Sequence, residues 1–359
     1  MKTAKKILVI KSFALFIIIF SFSFLIFNCS RRFEPEPLQL TVKQNLALLQ
    51  SDPQFVMYFN FKRMRETEFW KKFISDSLFS SERNFGNFLN TLKTATGASI
   101  SNNIDELYFS NSWIGENAMV IKGTFDQSMI NDYVKNDTNY SKISYPNNIT
   151  IYNNSWIHFY FYFKDDFTLC ASNYLSQLEK TISVYDTSIA GLLTNEDAMK
   201  VIENIKFKDN LWLMSGQKLF IRGIFENFTE INKNPKNKLP DGENKDTLNE
   251  ADTSKTGEFH LSTIYKKVNA VSFSLKMTDA INIVMQNNCD DEKSAMELKN
   301  SAEAVVTLAK LSAQFSKKKS PAVLKLLDRI DIKIFNNILI LETKLDASQV
   351  EDIRRQKIF

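Results

Sequence analysis

From residue 51 onward the apolar positions along the chain switch between two periods. Short runs that alternate or stay apolar, bounded by Asn, Asp or Gly, predict strands over 55–61, 104–110, 118–125, 149–152, 156–163, 167–171, 211–215, 268–275, 280–286, 330–335 and 338–345. Apolar residues three and four apart predict helices between them. Phe69, Trp70, Phe73 and Ile74 share one face over 66–79. Phe85, Phe88, Leu89 and Leu92 form a second stripe that Gly97 stops, and Leu298, Ala302, Val305 and Ala309 mark a long helix over 290–315. Further helices are expected over 126–134, 174–185 and 194–205, after Ser320-Pro321 and after Asp346. Their start signals are Asp126, Thr194 with Asp197, Ser320 before Pro321, and Asp346 with Gln349.

Strands joined by short connections pair antiparallel. The pattern therefore predicts an α+β fold of two similar lobes, 51–190 and 191–359, each an antiparallel sheet packed with helices. Internal duplication is suggested by two matches. Phe125, Asp126, Ser128, Ile130 and Asp132 agree with Leu345, Asp346, Ser348, Val350 and Asp352, while Ile104, Asp105 and Phe109 agree with Ile330, Asp331 and Phe335. Both halves read helix, helix, strand, strand, Asp-capped helix, and repeats are recognised by unit order as well as identity. On this reading Ile104 and Ile330 point into their cores, and Asp126 and Asp346 cap their helices. Residues 232–257 are rich in Asn, Lys, Asp, Glu and Thr and almost without apolar residues. Such a segment buries too little surface to order itself and is expected to be a mobile insertion in the second lobe.

The first 28 residues differ from all of this. Lys2, Lys5, Lys6 and Lys11 make a basic head, residues 12–27 are apolar apart from scattered serines, and Cys29 follows directly. A basic region followed by an apolar run reads as a secretory signal. The end of the run, Leu25-Ile26-Phe27-Asn28-Cys29, resembles the lipobox of bacterial lipoproteins, with Asn28 where that family usually has a small residue. The resemblance implies that a diacylglyceryl group is placed on the Cys29 thiol and that cleavage makes Cys29 the new N-terminus. Residues 1–28 are then a signal peptide and 29–50 a lipid-proximal tether, with Pro35 and Pro37 keeping it extended. An uncleaved anchor helix is the alternative, although the run is short for a membrane span of about 20 residues. After the leader, a short strand, a tryptophan-bearing helix at Trp70, a Thr96-Gly97 turn and an Ile104-Asp105 strand together resemble a family of uncharacterised bacterial exported proteins. That resemblance covers most of the chain and implies no activity, substrate or catalytic residue.

The leader also changes how the charge reads. The chain carries 45 basic and 41 acidic residues, and four of the lysines are in the leader, so the remainder holds 41 of each. No basic footprint for nucleic acid is left. Nine glycines in 359 residues leave little room for glycine-rich phosphate loops. Besides Cys29 there are Cys170 and Cys289. Export permits a disulfide, but their spacing fits no framework, and buried free thiols are the simpler expectation.

Candidate chemistry is sparse. The chain has two histidines, His158 and His260, and no zinc-protease, nucleophile-elbow, Walker, dinucleotide or C-x-x-C motif. Asp252, Ser254, Thr256 and Gly257 imitate the start of a calcium loop, but Thr263 stands where the bidentate Glu belongs. Asp290, Asp291 and Glu292 are explained by a helix N-terminus. No metal or cofactor is expected. The one unusual local pattern is 156–163, where Trp156, His158, Tyr160 and Tyr162 would share one strand face. An open aromatic face of that kind would suit a sugar, lipid or peptide, and a buried central strand is the structural alternative.

The sequence therefore points to a lipid-anchored exported envelope protein with a non-enzymatic binding or structural role, held to the membrane through its lipid, with its globular part outside the cytoplasm. Its ligand would be an envelope protein, glycan or lipid. An exported hydrolase with an unrecognised site is the alternative.

Overall fold

The computed structural model describes residues 37–74, 92–185, 189–205, 209–230, 265–315 and 321–355. The leader with Cys29, the stripe from Phe85 to Leu89, the 232–257 insertion, the calcium-like segment, His260 and Ser320 lie outside the described residues.

In chain order the elements are α1 (Leu40–Leu46), β1 (Phe55–Asn60), α2 (Phe61–Arg65), α3 (Glu68–Phe73), β2 (Ile104–Asn111), β3 (Asn117–Gly123) and α4 (Gln127–Asn136). Then come β4 (Tyr140–Ser144), β5 (Thr150–Asn154), β6 (Phe159–Asp165), β7 (Thr168–Ser172), α5 (Leu175–Ile182), a 3-10 turn (Gly191–Thr194), α6 (Glu196–Asn204), β8 (Leu211–Ser215) and α7 (Lys218–Glu230). The last are β9 (Val268–Met277), β10 (Ala280–Cys289), α8 (Glu292–Phe315), α9 (Pro321–Asp328), β11 (Asp331–Phe335), β12 (Ile338–Asp346) and α10 (Ala347–Arg355).

The strands do not divide into two sheets. They form one 12-stranded sheet in the order β11-β12-β10-β9-β8-β1-β2-β3-β7-β6-β5-β4, and every pair is antiparallel. The fold is thus α+β with a large antiparallel sheet. The two halves of the chain join where β1 pairs β8, with Phe59 opposite Leu211 and Val56 opposite Met214.

Alternation along the strands sends side chains to two faces. On the first face Val56 and Tyr58 of β1, Tyr108 of β2, Val120 of β3, Tyr162 of β6 and Trp212 of β8 are buried together. Helices α1, α5 and α6 cover them with Leu46, Leu178 and Ile202. On the second face Leu107, Ile121, Phe161 and Leu169 pack under Phe61 and Met64 of α2, Phe69 and Trp70 of α3 and Ile130 of α4. Further along that face Val271 and Leu339 meet Ile221 and Phe225 of α7 and Ala295 and Leu298 of α8. Strands apolar on both sides need this double cover.

Several expected boundaries shift. Residues 38–49 are not tether: Leu38, Val42, Leu46 and Leu49 are buried in the first-face core, Val42 and Leu46 of them on α1. Asp126 caps α4, accepting from Ser128 N and Met129 N, and Asp346 caps α10, accepting from Gln349 N at 3.0 Å. Helix α6 is capped by Asn195, which accepts from Ala198 N, because the Thr194 hydroxyl is turned back to the Gly191 carbonyl. Ile104 is buried at the start of interior strand β2, whereas Ile330 precedes edge strand β11 and is only half-buried. The two Ile-Asp segments thus hold different places in the sheet. Asp105 pairs with Arg65 at 2.7 Å, while Asp331 pairs with Lys333.

Candidate functional site

The expected aromatic face is not a face. Residues 155–158 form a turn, and β6 begins at Phe159. Asn154 Oδ1 accepts from the backbone N–H groups of Trp156 and Ile157, at 3.1 and 3.2 Å, and His158 takes a left-handed φ of 49°. This side-chain cap bends the chain where alternation alone predicts extension. Trp156 is 79% exposed, whereas Tyr160 packs against the first-face core and Tyr162 is 1% exposed within it. The Tyr162 hydroxyl meets Thr181 Oγ1 at 2.9 Å, and burial raises its pKa, with the neighbouring Cys170 thiol adding to the effect. The four residues are split between solvent and core.

The nucleophile candidates are quenched by their surroundings. Cys170 and Cys289 are free and buried, and burial pushes their thiols up to about 12 and about 11. A thiol so placed is protonated at neutral pH and a poor nucleophile. At the centre of the first face Glu106 accepts from the Tyr108 hydroxyl at 2.9 Å and the Tyr58 hydroxyl at 3.3 Å, and Asn60 donates to both Tyr58 and Glu106. Burial first, and then Glu106, raises both phenols, so they act as neutral donors that satisfy the carboxylate. Among the described residues no group of three or more His, Cys, Asp or Glu could hold a metal ion. Asp291 accepts from Ser294 N at 2.7 Å, which accounts for it as a helix cap.

One end of the sheet is different. There a groove of about 610 Å3 opens between the loop after α1, the β2–β3 turn, α5 and the chain leading into the 3-10 turn. Each wall has a local cause. The β2–β3 turn is closed by Ser112 N donating to Glu116 O at 2.8 Å, with Gly115 at φ 79°. Gln50 braces that turn from the other side, donating to Glu116 O at 2.9 Å while its Oε1 accepts from Ser110 Oγ. Gly191 lies so close to the loop after α1 that a β-carbon there would sit 2.3 Å from the carbonyl oxygens of both Ala47 and Leu49. Helix α5 supplies Gln177, Lys180 and Thr181. Leu49 and Val184 make apolar wall, and Trp113, 48% exposed, stands on the rim with Ile114.

Of the lining residues Gln177 is 3% exposed, and the Ser112 hydroxyl is shielded from solvent with no hydrogen-bond partner. A second groove of about 470 Å3 lies across Asp52 from the first, lined by Asn195, Asn269, Asn288 and Asn337 among others. Neither groove has a signature in the sequence, because each draws a few residues from each of four or more separate segments.

The protein is therefore an α+β molecule with one broad antiparallel sheet and a mixed polar and apolar groove at one sheet end. No family model matches the chain, and no curated protein does. Among solved structures it is similar to TP0453. Crystal form I gives a TM-score of 0.44 at 11% identity, covering 87% of this chain and 96% of that one. Crystal form III gives 0.43 at 10%, covering 87% and 98%.

Proposed function

We propose that this is a lipid-anchored exported protein of the bacterial cell envelope, whose globular part binds rather than catalyses. The observation that carries the reading is Cys29 standing directly behind a basic head and an apolar run. Among the described residues no helix is long and apolar enough to cross a membrane, which is compatible with a tethered globular part. The hydrolase alternative has no supporting observation among the described residues. Metabolic labelling with a palmitate analogue is expected to tag the wild-type chain and to miss Cys29→Ala, and equal labelling of the two would defeat the anchor.

We also propose that the sheet arose by duplication, in a different alignment from the one the Ile-Asp segments suggest. Outward from the β1–β8 pair, one side runs β1, β2, β3, β7, β6 and the other β8, β9, β10, β12, β11. On each side the third strand leads into a helix, the last strand of that half returns beside the third, and a helix follows it. This order supports β2 as the counterpart of β9 rather than of β11, with the β4–β5 hairpin added on one side.

A further inference from the structure

We infer that the β2–β3 turn and the β5–β6 turn are paired membrane-docking tips, which seat this end of the sheet in the headgroup region of a bilayer. The inference takes its choice of partner from the membrane tether proposed above.

The first step is a repeated tetrapeptide. Asn111-Ser112-Trp113-Ile114 and Asn154-Ser155-Trp156-Ile157 are identical in sequence, and each runs from the last residue of a strand into the turn that follows. The register places both turns at the same end of the sheet, since Asn111 pairs Asn117, Ala118 pairs Ser172, Ser172 pairs Tyr160 and Phe159 pairs Asn154. Strand β7 lies between the two hairpins, so at about 4.8 Å per strand their tips are about 14 Å apart. Trp113, Ile114, Trp156 and Ile157 are all exposed, Ile114 at 70% and Trp156 at 79%. Tyr174, just past the end of β7, is exposed between them.

The second step is how the tips are built. In the first, Ser112 O accepts from Gly115 N at 3.0 Å, Ile114 O from the Tyr174 hydroxyl at 3.3 Å, and Gly115 O from Asn173 Nδ2 at 2.8 Å. Glu116 O accepts from both Ser112 N and Gln50 Nε2. In the second, Asn154 Oδ1 takes the N–H groups of Trp156 and Ile157, and Ser155 N donates to Asn139 O at 3.0 Å. A segment that enters an apolar medium must have its backbone polar groups satisfied within the protein. Here residues behind the tips satisfy them, while the Trp and Ile side chains are left to solvent.

The third step separates a bilayer from a protein partner. Residues 112–115 and 155–157 carry no charge, whereas at the same end of the sheet the chain beside β9 and β10 exposes Lys266, Lys267, Asp290 and Asp291. Tryptophan suits the membrane–water interface, because its ring is apolar and its one N–H can stay hydrated. A protein partner would need a continuous face of about 800 Å2. Two narrow tips with the polar residues Asn117, Asn139 and Asn173 at their bases do not make one, and a bilayer requires no match of shape. The tether also keeps this end within reach of the anchored lipid. The chain from Cys29 to Leu38 spans at most about 30 Å, α1 adds about 10 Å, and the loop after α1 braces the first tip through Gln50.

The test uses tryptophan emission. The chain has four tryptophans, and Trp70 and Trp212 are buried, so contact with lipid is read from Trp113 and Trp156. The full-length chain is reconstituted into phosphatidylcholine vesicles, and into vesicles of the same lipid brominated near the ester end of its acyl chains. Wild type is expected to lose about half of its emission in the brominated vesicles, because rings seated about 5–10 Å into the headgroup–acyl boundary lie beside the bromines. Ile114→Asp with Ile157→Asp keeps all four tryptophans, and its loss is expected to be about a fifth or less, because a carboxylate resists leaving water. If that variant does not fold, Trp113→Ser with Trp156→Ser replaces it, and its remaining emission is expected to be unquenched. The inference is overturned if wild type is unquenched, if the aspartate variant is quenched as fully as wild type, or if the serine variant is still quenched. Emission that is blue-shifted yet unquenched would mean that a second copy of the chain covers the tips, and this also overturns it. Palmitate labelling of Cys29 reads the anchor separately. A labelled chain without quenching defeats the tips alone, and a quenched chain that takes no label defeats the anchor alone.

Discussion

On the side of the sheet that begins with β1, the first face carries Tyr58, Tyr108, Val120, Tyr162 and Ile151, all buried. On the side that begins with β8, Trp212, Met214 and Ala270 continue that core, but beyond them Val284, Ile338 and Ile340 are interspersed with Ser272, Ser274, Asn282, Gln286, Glu342, Lys344, Asp331 and Lys333. The second faces are apolar on both sides, with Ile121 and Phe161 matched by Val271 and Leu339. Equal strand order has therefore not produced equal chemistry. Helices α1 and α5 cover the first face of the first side, while on the other side, among the described residues, α6 alone does so, with Gln286 Nε2 donating to Asn204 O at 3.3 Å. The groove lies where that layer ends, between α5 and the loop after α1.

The comparison is broken most severely by attacking how that layer is fastened. Gly191→Ala places a β-carbon 2.3 Å from two carbonyl oxygens at a residue with φ 50°. Backbone oxygens cannot move aside as a side chain would. Overpacking of about 1–3 kcal/mol adds to a left-handed penalty of about 1–2 kcal/mol, so the loss should approach 4 kcal/mol, read as a falling denaturation midpoint. A variant as stable as wild type would show that the layer is not docked as described.

A matched pair sharpens the contrast between the two sides. Ile151→Ala, on the first face of β5, removes a fully buried side chain from a doubly covered region and is expected to cost about 3 kcal/mol, within the range for such cavities. Ser274→Ala, on the first face of β9, removes a buried hydroxyl that has no partner, and is expected to be neutral or stabilising by about 0.5 kcal/mol. Chemical denaturation of both variants checks the pair. Equal losses would mean that the first faces of the two sides are packed alike.

Much of the strand content was legible because alternation is a local signal. The segments that became β1, β2, β3 and β8 to β12 were expected within a few residues, and Asp126 and Asp346 announced their helices. What local pattern could not carry was the join. The β1–β8 pairing puts Tyr58 opposite Trp212, and nothing near either residue encodes that partner. Two lobes were the natural reading, and one sheet is the result. Helix α1 was missed because Pro35 and Pro37 precede it and suggest an extended tether, although Val42 and Leu46 already lie on one helical face. Strand β4 was missed because an edge strand buries little, so Ser141, Lys142 and Ser144 read as loop. The groove was invisible for a further reason. Gln177 in a polar helix reads as a surface residue until its burial is known.

The smallest expected change in stability concerns the two edges, and it tests whether the sides are alike where they meet solvent. Both edge strands have five residues and carry a central lysine, Lys142 in β4 and Lys333 in β11. Such lysines guard an edge against pairing with another chain, because a strand docking there must desolvate a charge. Their attachments differ. Lys142 donates to Asn131 Oδ1 at 3.0 Å and lies 5.4 Å from the centre of the Tyr152 ring, drawn back along the second face. Lys333 pairs with Asp331 and, at 3.4 Å, with Glu342 on the first face, where all three charges are partly exposed. Exposed pairs of this kind contribute about 0–1 kcal/mol, so Lys333→Ile and Lys142→Ile should each leave the melting temperature nearly unchanged. Association should separate them. Strand β11 already carries Ile332 and Ile334 facing the second-face core, and Lys333→Ile leaves three consecutive isoleucines before Phe335 on an open edge. In strand β4 an isoleucine at 142 would have Ile143 beside it, but Ser141 and Ser144 bound that pair. Light scattering across a concentration series should therefore detect dimers or larger species for Lys333→Ile at concentrations where Lys142→Ile remains monomeric. The reverse order, or no association in either variant, would show that these lysines do not protect the edges and that something else covers them.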